Sequence, residues 1–231
     1  MLGGGGLTGE TSKEFIRRLI ALAGGLNSLI VIIPTANPKA DTAELRRSFL
    51  SEGARHVIIL NTRSRQVANS DSFVRILRSA KAVFLTGGQP LLLENTYRGT
   101  LTEKELKALL SRGGVIAGDS AGAISIGCLF LSWLPDPFGK RADELCLLPN
   151  VAVSPHADAA IGYNVDQEVL KYLSSHPNVI GIDIDENTML IINRGNAEVI
   201  GKGHITILDA AKDKKKPVLS LAAGEQRSLK E

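Results

Sequence analysis

The sequence predicts an α/β protein of one domain, spanning residues 1–231, in which a mostly parallel central sheet lies between two layers of helices. Short, continuously apolar segments rich in β-branched residues alternate with segments whose apolar residues recur at helical spacing. Strands that are apolar on both faces are typical of parallel sheets covered by helices on both sides. We therefore expect a three-layer α/β/α sandwich, with antiparallel strands flanking the sheet near the C-terminus.

The first half of the chain supplies the parallel strands of this prediction. Four buried strands are expected over Leu29–Pro34, His56–Leu60, Ala82–Thr86 and Gly114–Gly118. Helices are expected between them, over Asp41–Gly53, Ser70–Ala80 and Leu101–Ser111. Because ligands bind beyond the carboxyl ends of the strands in such sheets, we expect a functional site in the segments that follow the strands.

The second half of the chain is less regular. Prolines and a glycine within Ser132–Leu145 indicate a loop, and Val165–Leu173 is predicted to be helical. Further strands, expected to be antiparallel and to flank the main sheet, are predicted over Val179–Ile184, Thr188–Ile192 and Ala197–Ile200.

Charge and composition exclude several classes of protein. The formal net charge is only +3, which argues against nucleic acid or a membrane surface as the main partner. We find no signal peptide and no apolar run of the ~20 residues that span a membrane, so a cytoplasmic protein is expected. Cys128 and Cys146 have no metal-binding spacing and are expected to be reduced thiols; no metal or cofactor is predicted.

The strongest chemical motif is Gly118-Asp119-Ser120-Ala121-Gly122, which matches G-x-S-x-G between a predicted strand and a predicted helix. On such a turn a serine is held in strained backbone with its hydroxyl exposed, and small flanking residues let the strand and the helix pass closely. Ser120 is thus the candidate nucleophile. The backbone N–H of Ala121 would point toward an oxyanion.

A nucleophilic serine needs a base, and the chain offers four histidines. His56 begins an apolar strand, His176 lies in a predicted turn, and His204 lies in a late strand beside two glycines. His156 follows an apolar stretch and lies in a loop. A returning loop would bring it to the edge of the sheet, so His156 is the candidate base for Ser120.

Together these motifs resemble one family, the serine peptidases that include the aspartyl dipeptidases and the cyanophycinases. That family has a class I glutamine amidotransferase-like fold with serine in place of the amidotransferase cysteine. The resemblance covers most of the chain, and the segments that carry it are Gly3–Gly6, Ile33–Ala36, Phe84–Gly88, Gly99–Thr100, Val115–Ala123, Pro155–His156 and Gly181–Thr188.

The resemblance implies a Ser–His–acid triad. Ser120 matches the nucleophile and His156 the general base, and the N–H groups of Gly88 and Ala121 match the oxyanion hole. The third member stays open. Glu186 matches the cyanophycinase pattern and is preferred, and the other candidates are Asp136, which matches the dipeptidase pattern, and Asp158.

The expected substrate contacts are Gln89 and Asp119, although the default interpretation of Asp119 is that it caps the next helix. Two departures from the cyanophycinase pattern put a cyanophycin substrate in question. This chain has Gly87-Gly88-Gln89-Pro90 where cyanophycinases have a segment similar to GGDQ, and it has no arginine in the segment that follows His156. The Pro-His pair resembles the dipeptidase branch. A substrate aspartate would then need a basic partner, for which Lys140 and Arg141 are candidates.

The sequence thus predicts a serine peptidase that hydrolyses amide bonds of short, aspartate-containing peptides through an acyl-enzyme. Its partner would be a small peptide, with no nucleic acid or membrane involved, and a homodimer is compatible with the family. The alternative is a non-catalytic module that binds a small ligand at the strand ends through its glycine-rich turns. An amidotransferase is disfavoured because a serine, not a cysteine, occupies the turn.

Overall fold

A computed structural model describes residues 1–127, 145–159, 173, 175–176, 178–209 and 219–228 of the chain. Within these ranges lie seven helices and twelve strands, and the strands form one sheet of eight and one of four. The loop predicted over 132–145, with Asp136, Lys140 and Arg141, and the helix predicted over 165–173 fall outside the described residues apart from their last positions.

The parallel half of the large sheet consists of the strands β1 (Leu2–Gly3), β2 (Leu29–Ile33), β3 (His56–Ile59), β4 (Ala82–Leu85) and β5 (Val115–Asp119). They pair in parallel in the order β1-β5-β4-β2-β3. The four strands predicted in the first half are confirmed to within about one residue. Strand β3, however, was expected to be buried and instead lies at the edge of the sheet, with His56 and Ile58 exposed. The sequence analysis missed β1, because two residues are too short to show a period.

The large sheet continues on the other side of β1 with antiparallel strands. These are β8 (Thr188–Asn193), β9 (Asn196–Gly201) and β12 (Gln226–Ser228). Strand β8 pairs with β1, and the full order is β12-β9-β8-β1-β5-β4-β2-β3. The predicted antiparallel flank is confirmed for β8 and β9.

A second sheet, which the sequence analysis did not predict, contains β6 (Val151–Pro155), β7 (Ile180–Ile184), β10 (His204–Asp209) and β11 (Leu219–Ala222). Strand β7 was predicted as a strand but assigned to the main sheet. It instead pairs in parallel with β6 and antiparallel with β10. An apolar pattern identifies a strand, but it does not say which strand will be its neighbour.

Helices cover both faces of the large sheet. They are α1 (Gly9–Leu22), α2 (Thr42–Ser51), α3 (Arg65–Ala68), α4 (Asp71–Ser79), α5 (Pro90–Tyr97), α6 (Leu101–Ser111) and α7 (Ala121–Ile126). The predicted helices correspond to α2, α4 and α6. The expected mixed α/β fold with a mostly parallel central sheet between helices is therefore confirmed.

Successive side chains of each strand point to opposite faces of the large sheet, so an apolar core forms on each side of it. Ile30 packs into a cluster on one face with the rings of Phe15, Phe49 and Phe84, and its neighbour Val31 packs into the cluster on the opposite face. Each fully buried side chain of this size contributes about 1.5–3 kcal/mol of apolar transfer free energy. The two clusters hold the strand ends, and with them the site, in fixed positions.

In the part of the chain that the structure describes, no helix is both long enough and apolar enough to cross a membrane. Cys146 is disulfide-bonded, so the expectation of a reduced thiol is wrong for this residue. The expectation rested on a cytosolic compartment and on the absence of a metal-binding spacing, whereas a disulfide depends on proximity in space. Cys128 lies outside the described residues.

Candidate active site

Ser120 lies on the sharp turn that the motif predicted, between the end of β5 and the start of α7. Its backbone has φ 50° and ψ −112°, a conformation that costs a residue with a side chain about 1–3 kcal/mol. The turn is fixed because the Ser120 carbonyl accepts the N–H of Ile124 at 3.0 Å, which begins the helix. The strained backbone holds the hydroxyl out at the edge of the sheet.

The glycines on either side of Ser120 allow the strand and the helix to approach each other. A Cβ on Gly118 would lie 2.3 Å from the backbone of Gly122, and a Cβ on Gly122 would lie 2.1 Å from the carbonyl oxygen of Leu85 on β4. Neither position has room for a methyl group. The motif therefore has a steric origin at both ends, as expected for this type of turn.

The structure brings Ser120, His156 and Glu186 together in one chain of hydrogen bonds. Ser120 Oγ lies 2.8 Å from His156 Nε2, and His156 Nδ1 lies 2.7 Å from Glu186 Oε1. The side chains of His156 and Glu186 are 22% and 43% exposed, so the imidazole is shielded while solvent reaches the carboxylate. This is the geometry of a nucleophile, a base and an acid that orients the base.

The two sheets contribute different members of this arrangement. Ser120 follows a strand of the large sheet, whereas His156 follows β6 of the small sheet. Glu186 lies in the turn by which the chain passes from β7 to β8, that is, from the small sheet to the large one. Because β6 and β7 are parallel and paired to their ends, with Pro155 opposite Ile184, the residues that follow them are neighbours.

Asp158, one of the alternatives for the third triad member, contacts the acid rather than the base. Its Oδ1 accepts the backbone N–H of Glu186 at 2.6 Å, and its side chain is exposed. This hydrogen bond holds the turn that carries Glu186. Asp136, the other alternative, lies outside the described residues, and Glu186 is the described carboxylate that contacts the His156 ring.

The Gly87–Gly88 turn lies directly beside the nucleophile. A Cβ on Gly87 would lie 3.4 Å from the Cβ of Ser120. Gly88 has φ 141°, and a Cβ there would lie 2.4 Å from the carbonyl oxygen of Ala36, so this position requires glycine. Ala121 is the first residue of α7, so its N–H has no acceptor within the helix. The two predicted oxyanion donors thus lie on the two segments that border Ser120.

The two predicted substrate contacts lie at the same edge of the sheet. Gln89 is exposed just before α5, and its N–H donates to the Ala36 carbonyl at 2.8 Å. Asp119 is half-buried beside Ser120, and its Oδ1 accepts the N–H of Gly5 at 3.0 Å. Burial raises the pKa of Asp119, which the Gly5 hydrogen bond and the nearby His156 partly offset. The expectation that Asp119 caps α7 is wrong, because Ser120 is the N-cap residue of this helix and its cap has no side-chain hydrogen bond.

Sequence reasoning missed the contacts that Gly5 makes at this site. A Cβ on Gly5 would lie 2.1 Å from Cε1 of His156, so the glycine backbone packs directly against the imidazole. Asn187, next to Glu186, has φ 56° and donates its N–H to the Gly5 carbonyl at 2.7 Å. The glycine run was visible in the sequence, but its partners lie more than a hundred residues away.

Within the described ranges, no group of three or more His, Cys, Asp or Glu side chains is placed to hold a metal ion. The chemistry that the geometry supports is that of the side chains themselves. A hydroxyl, an imidazole and a carboxylate in sequence, with backbone N–H groups beside the hydroxyl, are suited to acyl transfer.

The sequence of the chain is similar to those of known peptidases. The model of peptidase family S51 matches residues 1–200 of the chain. A cyanophycinase from a Nostoc species is 32% identical over 208 residues, which cover 85% of this chain and 68% of that protein. A cyanophycinase from Geminocystis herdmanii is 31% identical over 207 residues, which cover 85% of this chain and 75% of that protein.

A solved structure shares the fold along nearly the whole chain. The structure of a peptidase from an acI-B1 actinobacterium has a TM-score of 0.75 to this one at 23% sequence identity. The superposition covers 98% of this chain and 95% of the other chain. The arrangement of helices and sheets described above is therefore that of a known peptidase structure.

Proposed function

The chain belongs to peptidase family S51, and from this premise we propose that it hydrolyses the amide bonds of short, aspartate-containing peptides through Ser120, His156 and Glu186. Membership in the family and the similarity to cyanophycinases make it a hydrolase of the serine peptidase type. The observation that carries the proposed triad is the continuous hydrogen bonding from Ser120 Oγ through the His156 ring to Glu186.

The first step is attack on the substrate carbonyl. With its proton on Nδ1, His156 donates to Glu186 and accepts the Ser120 hydroxyl proton at Nε2. Ser120 Oγ then bonds to the carbonyl carbon while the C=O π electrons move to the oxygen. Glu186 stabilises the imidazolium that forms and holds the ring in the productive tautomer.

The oxyanion of the tetrahedral intermediate needs hydrogen-bond donors. The N–H groups of Gly88 and Ala121 are the proposed donors, and the N-terminal end of α7 adds a favourable dipole. Loss of one such donor in a serine protease costs roughly a hundredfold to a thousandfold in kcat. Both donors are backbone groups, so a side-chain substitution cannot remove them directly.

Breakdown of the intermediate returns the proton. His156 protonates the leaving amine as the C–N bond breaks, which leaves the acyl group on Ser120. Water then attacks the ester carbonyl while His156 accepts its proton, and collapse of this second intermediate passes that proton to Ser120 Oγ. The carboxylic acid product leaves, and the enzyme is regenerated.

The proposed substrate class depends on the charges beside the nucleophile. Asp119 Oδ1 is engaged by Gly5, and Oδ2 lies toward the Gly87 turn, 3.6 Å from where a Cβ on Gly87 would be. We propose that Oδ2 receives the ammonium group of the substrate, and that the exposed amide of Gln89 binds substrate polar groups. A free amino group close to the scissile bond is a property of dipeptides and short peptides.

The test combines a serine-directed probe with two variants. A fluorophosphonate should label the wild-type protein at Ser120, and Ser120→Ala should abolish labelling. Both Ser120→Ala and His156→Ala should lower kcat/KM on α-aspartyl and isoaspartyl dipeptides by a factor of at least about 10³. A matched control is Ser28→Ala, which removes a hydroxyl at the opposite end of the sheet and should leave kcat/KM unchanged.

A folded Ser120→Ala variant that keeps its peptidase activity would contradict the proposal. N-acetylated versions of the same dipeptides test the ammonium contact. They should show a higher KM than the free peptides in the wild type, and this difference should disappear in Asp119→Asn.

A further inference from the structure

The glycine run that begins with the last residue of β1 accepts backbone hydrogen bonds from Ser120, from His156 and from the neighbour of Glu186. The carbonyls of Gly3, Gly4 and Gly5 accept, in that order, the N–H of Ser120 at 3.0 Å, of His156 at 2.9 Å and of Asn187, the neighbour of Glu186, at 2.7 Å. We propose that residues 3–5 form a backbone template that aligns the three catalytic side chains. This inference rests on the proposed function of the triad.

The template is rigid because each of its groups is engaged and buried. Residues 3–5 are buried, and the N–H of Gly4 donates to the Thr188 carbonyl at 2.9 Å. The N–H of Gly5 donates to Asp119 Oδ1 at 3.0 Å. Template and nucleophile are therefore joined twice, once through the Ser120 backbone and once through the side chain before it.

The template also fixes the orientation of the His156 ring. A Cβ on Gly5 would lie 2.1 Å from Cε1 and 2.6 Å from Nε2 of His156, so the glycine backbone forms the surface on which the imidazole rests. His156 itself has φ 62°, which a residue with a side chain rarely adopts. The hydrogen bond from its N–H to Gly4 helps to hold it there. Gly5 is thus a positioning residue that acts through His156.

Glycine is required here for steric and conformational reasons. Gly5 has φ 91°, and a Cβ on Gly4 would lie 1.9 Å from the carbonyl oxygen of Asp185. A methyl group on Gly5 would meet a side chain that is able to turn away, whereas one on Gly4 would meet backbone. Gly5→Ala is therefore the substitution that moves the ring with the least damage to the fold.

The experiment compares Gly5→Ala with Gly25→Ala. The two positions share a left-handed backbone, φ 91° and φ 100°, so alanine carries a similar conformational cost at both. A Cβ on Gly25 has no atom within 4 Å. Gly5→Ala should lower the rate of fluorophosphonate labelling and kcat by at least about a hundredfold, and Gly25→Ala should leave both unchanged.

A double mutant separates positioning from a general loss of stability. If Gly5 acts through the imidazole, adding Gly5→Ala to His156→Ala should cause no further loss of rate, because the two residues act as a unit. Additive losses would overturn the proposal. Asp119→Ala should also slow labelling, by about tenfold, since it frees the Gly5 N–H. Asp119→Asn should restore most of that rate because it keeps an acceptor oxygen.

An NMR measurement tests the position of the His156 ring independently of catalysis. The Nδ1 proton of His156, hydrogen-bonded to Glu186, should give a far-downfield NMR signal in the wild type and in Gly25→Ala, and this signal should be lost in Gly5→Ala. Retention of the signal in folded Gly5→Ala would overturn the template even if the wild type were not labelled. Absence of labelling in the wild type would instead contradict the proposed function.

Discussion

The two ends of the parallel sheet differ in which residues adopt a left-handed backbone. At the amino end, where helices lead back into strands, residues with a left-handed backbone are glycines, namely Gly24, Gly25, Gly53 and Gly113. Around the carboxyl end Gly5 and Gly88 also have positive φ angles, but there Ser120, His156 and Asn187 adopt positive φ angles while carrying side chains. Glycine adopts that conformation without a steric cost, and other residues do not. Two of these strained positions are candidate triad members, and the third, Asn187, is next to Glu186.

The polar side chains at the two ends of the sheet also make different kinds of hydrogen bonds. At the amino end Ser28 Oγ donates to the Ala23 carbonyl at 2.7 Å, and the Arg112 guanidinium donates to the Leu77 carbonyl at 2.5 Å. Ala23, Ser28 and Arg112 also line a cavity of about 410 Å³ there. The two hydrogen bonds complete the ends of helices. At the carboxyl end the side chains of Glu186, His156 and Ser120 bond to one another in a chain that ends at a hydroxyl. Polar groups thus support the fold at one end and form a site at the other.

The largest effect expected from this comparison separates Glu186 from Asp158. Glu186→Ala should lower kcat by roughly 10²–10⁴, because the imidazole loses the group that sets its tautomer. Asp158→Ala should cost only about tenfold, since it removes a bond to the Glu186 backbone. Steady-state kinetics on the same dipeptide measure both. If Asp158→Ala had the larger effect, Asp158 and not Glu186 would be the third member of the triad.

A smaller effect concerns the strain itself. Glycine normally destabilises a protein relative to alanine by about 0.5–1 kcal/mol, because it has more freedom when unfolded. At position 120 the order should be reversed, with Ser120→Gly more stable than Ser120→Ala by about 1 kcal/mol. At position 25 alanine should be less stable than the native glycine by a similar amount. Urea denaturation gives the free energy of unfolding of each variant. If Ser120→Gly were less stable than Ser120→Ala, the backbone at position 120 would not be strained.

The smallest effect is the pH dependence of stability that Asp119 introduces. Burial raises the pKa of this carboxyl, so the folded protein holds the proton to a higher pH than the unfolded chain does. Stability should therefore fall as pH rises from the ordinary pKa of an aspartate through the raised one, and the loss is complete above it. Asp119→Asn should lack this loss and keep the bond to Gly5. The denaturation midpoints of the wild type and of Asp119→Asn should differ at high pH and converge at low pH. A difference that stays constant with pH would contradict the raised pKa of Asp119.

Much of the fold was determined by local sequence patterns. Short apolar runs predicted β2 to β5, and helical spacing predicted α2, α4 and α6, because most of these segments bury apolar side chains in the core. The turn at Ser120 was also predictable, since the residues that shape it lie within five positions of one another. The same holds for the family, which the motifs indicated and the comparisons confirmed.

Only the tertiary structure decided how the distant parts of the site meet. No pattern in the sequence showed that β6 and β7 form a second sheet, and that pairing is what carries His156 and the turn with Glu186 to Ser120. Likewise, the partners of the glycine run depend on β1 lying between β5 and β8. Local patterns record which side chains are buried, but strand pairing joins residues far apart in the chain and leaves no period in the sequence.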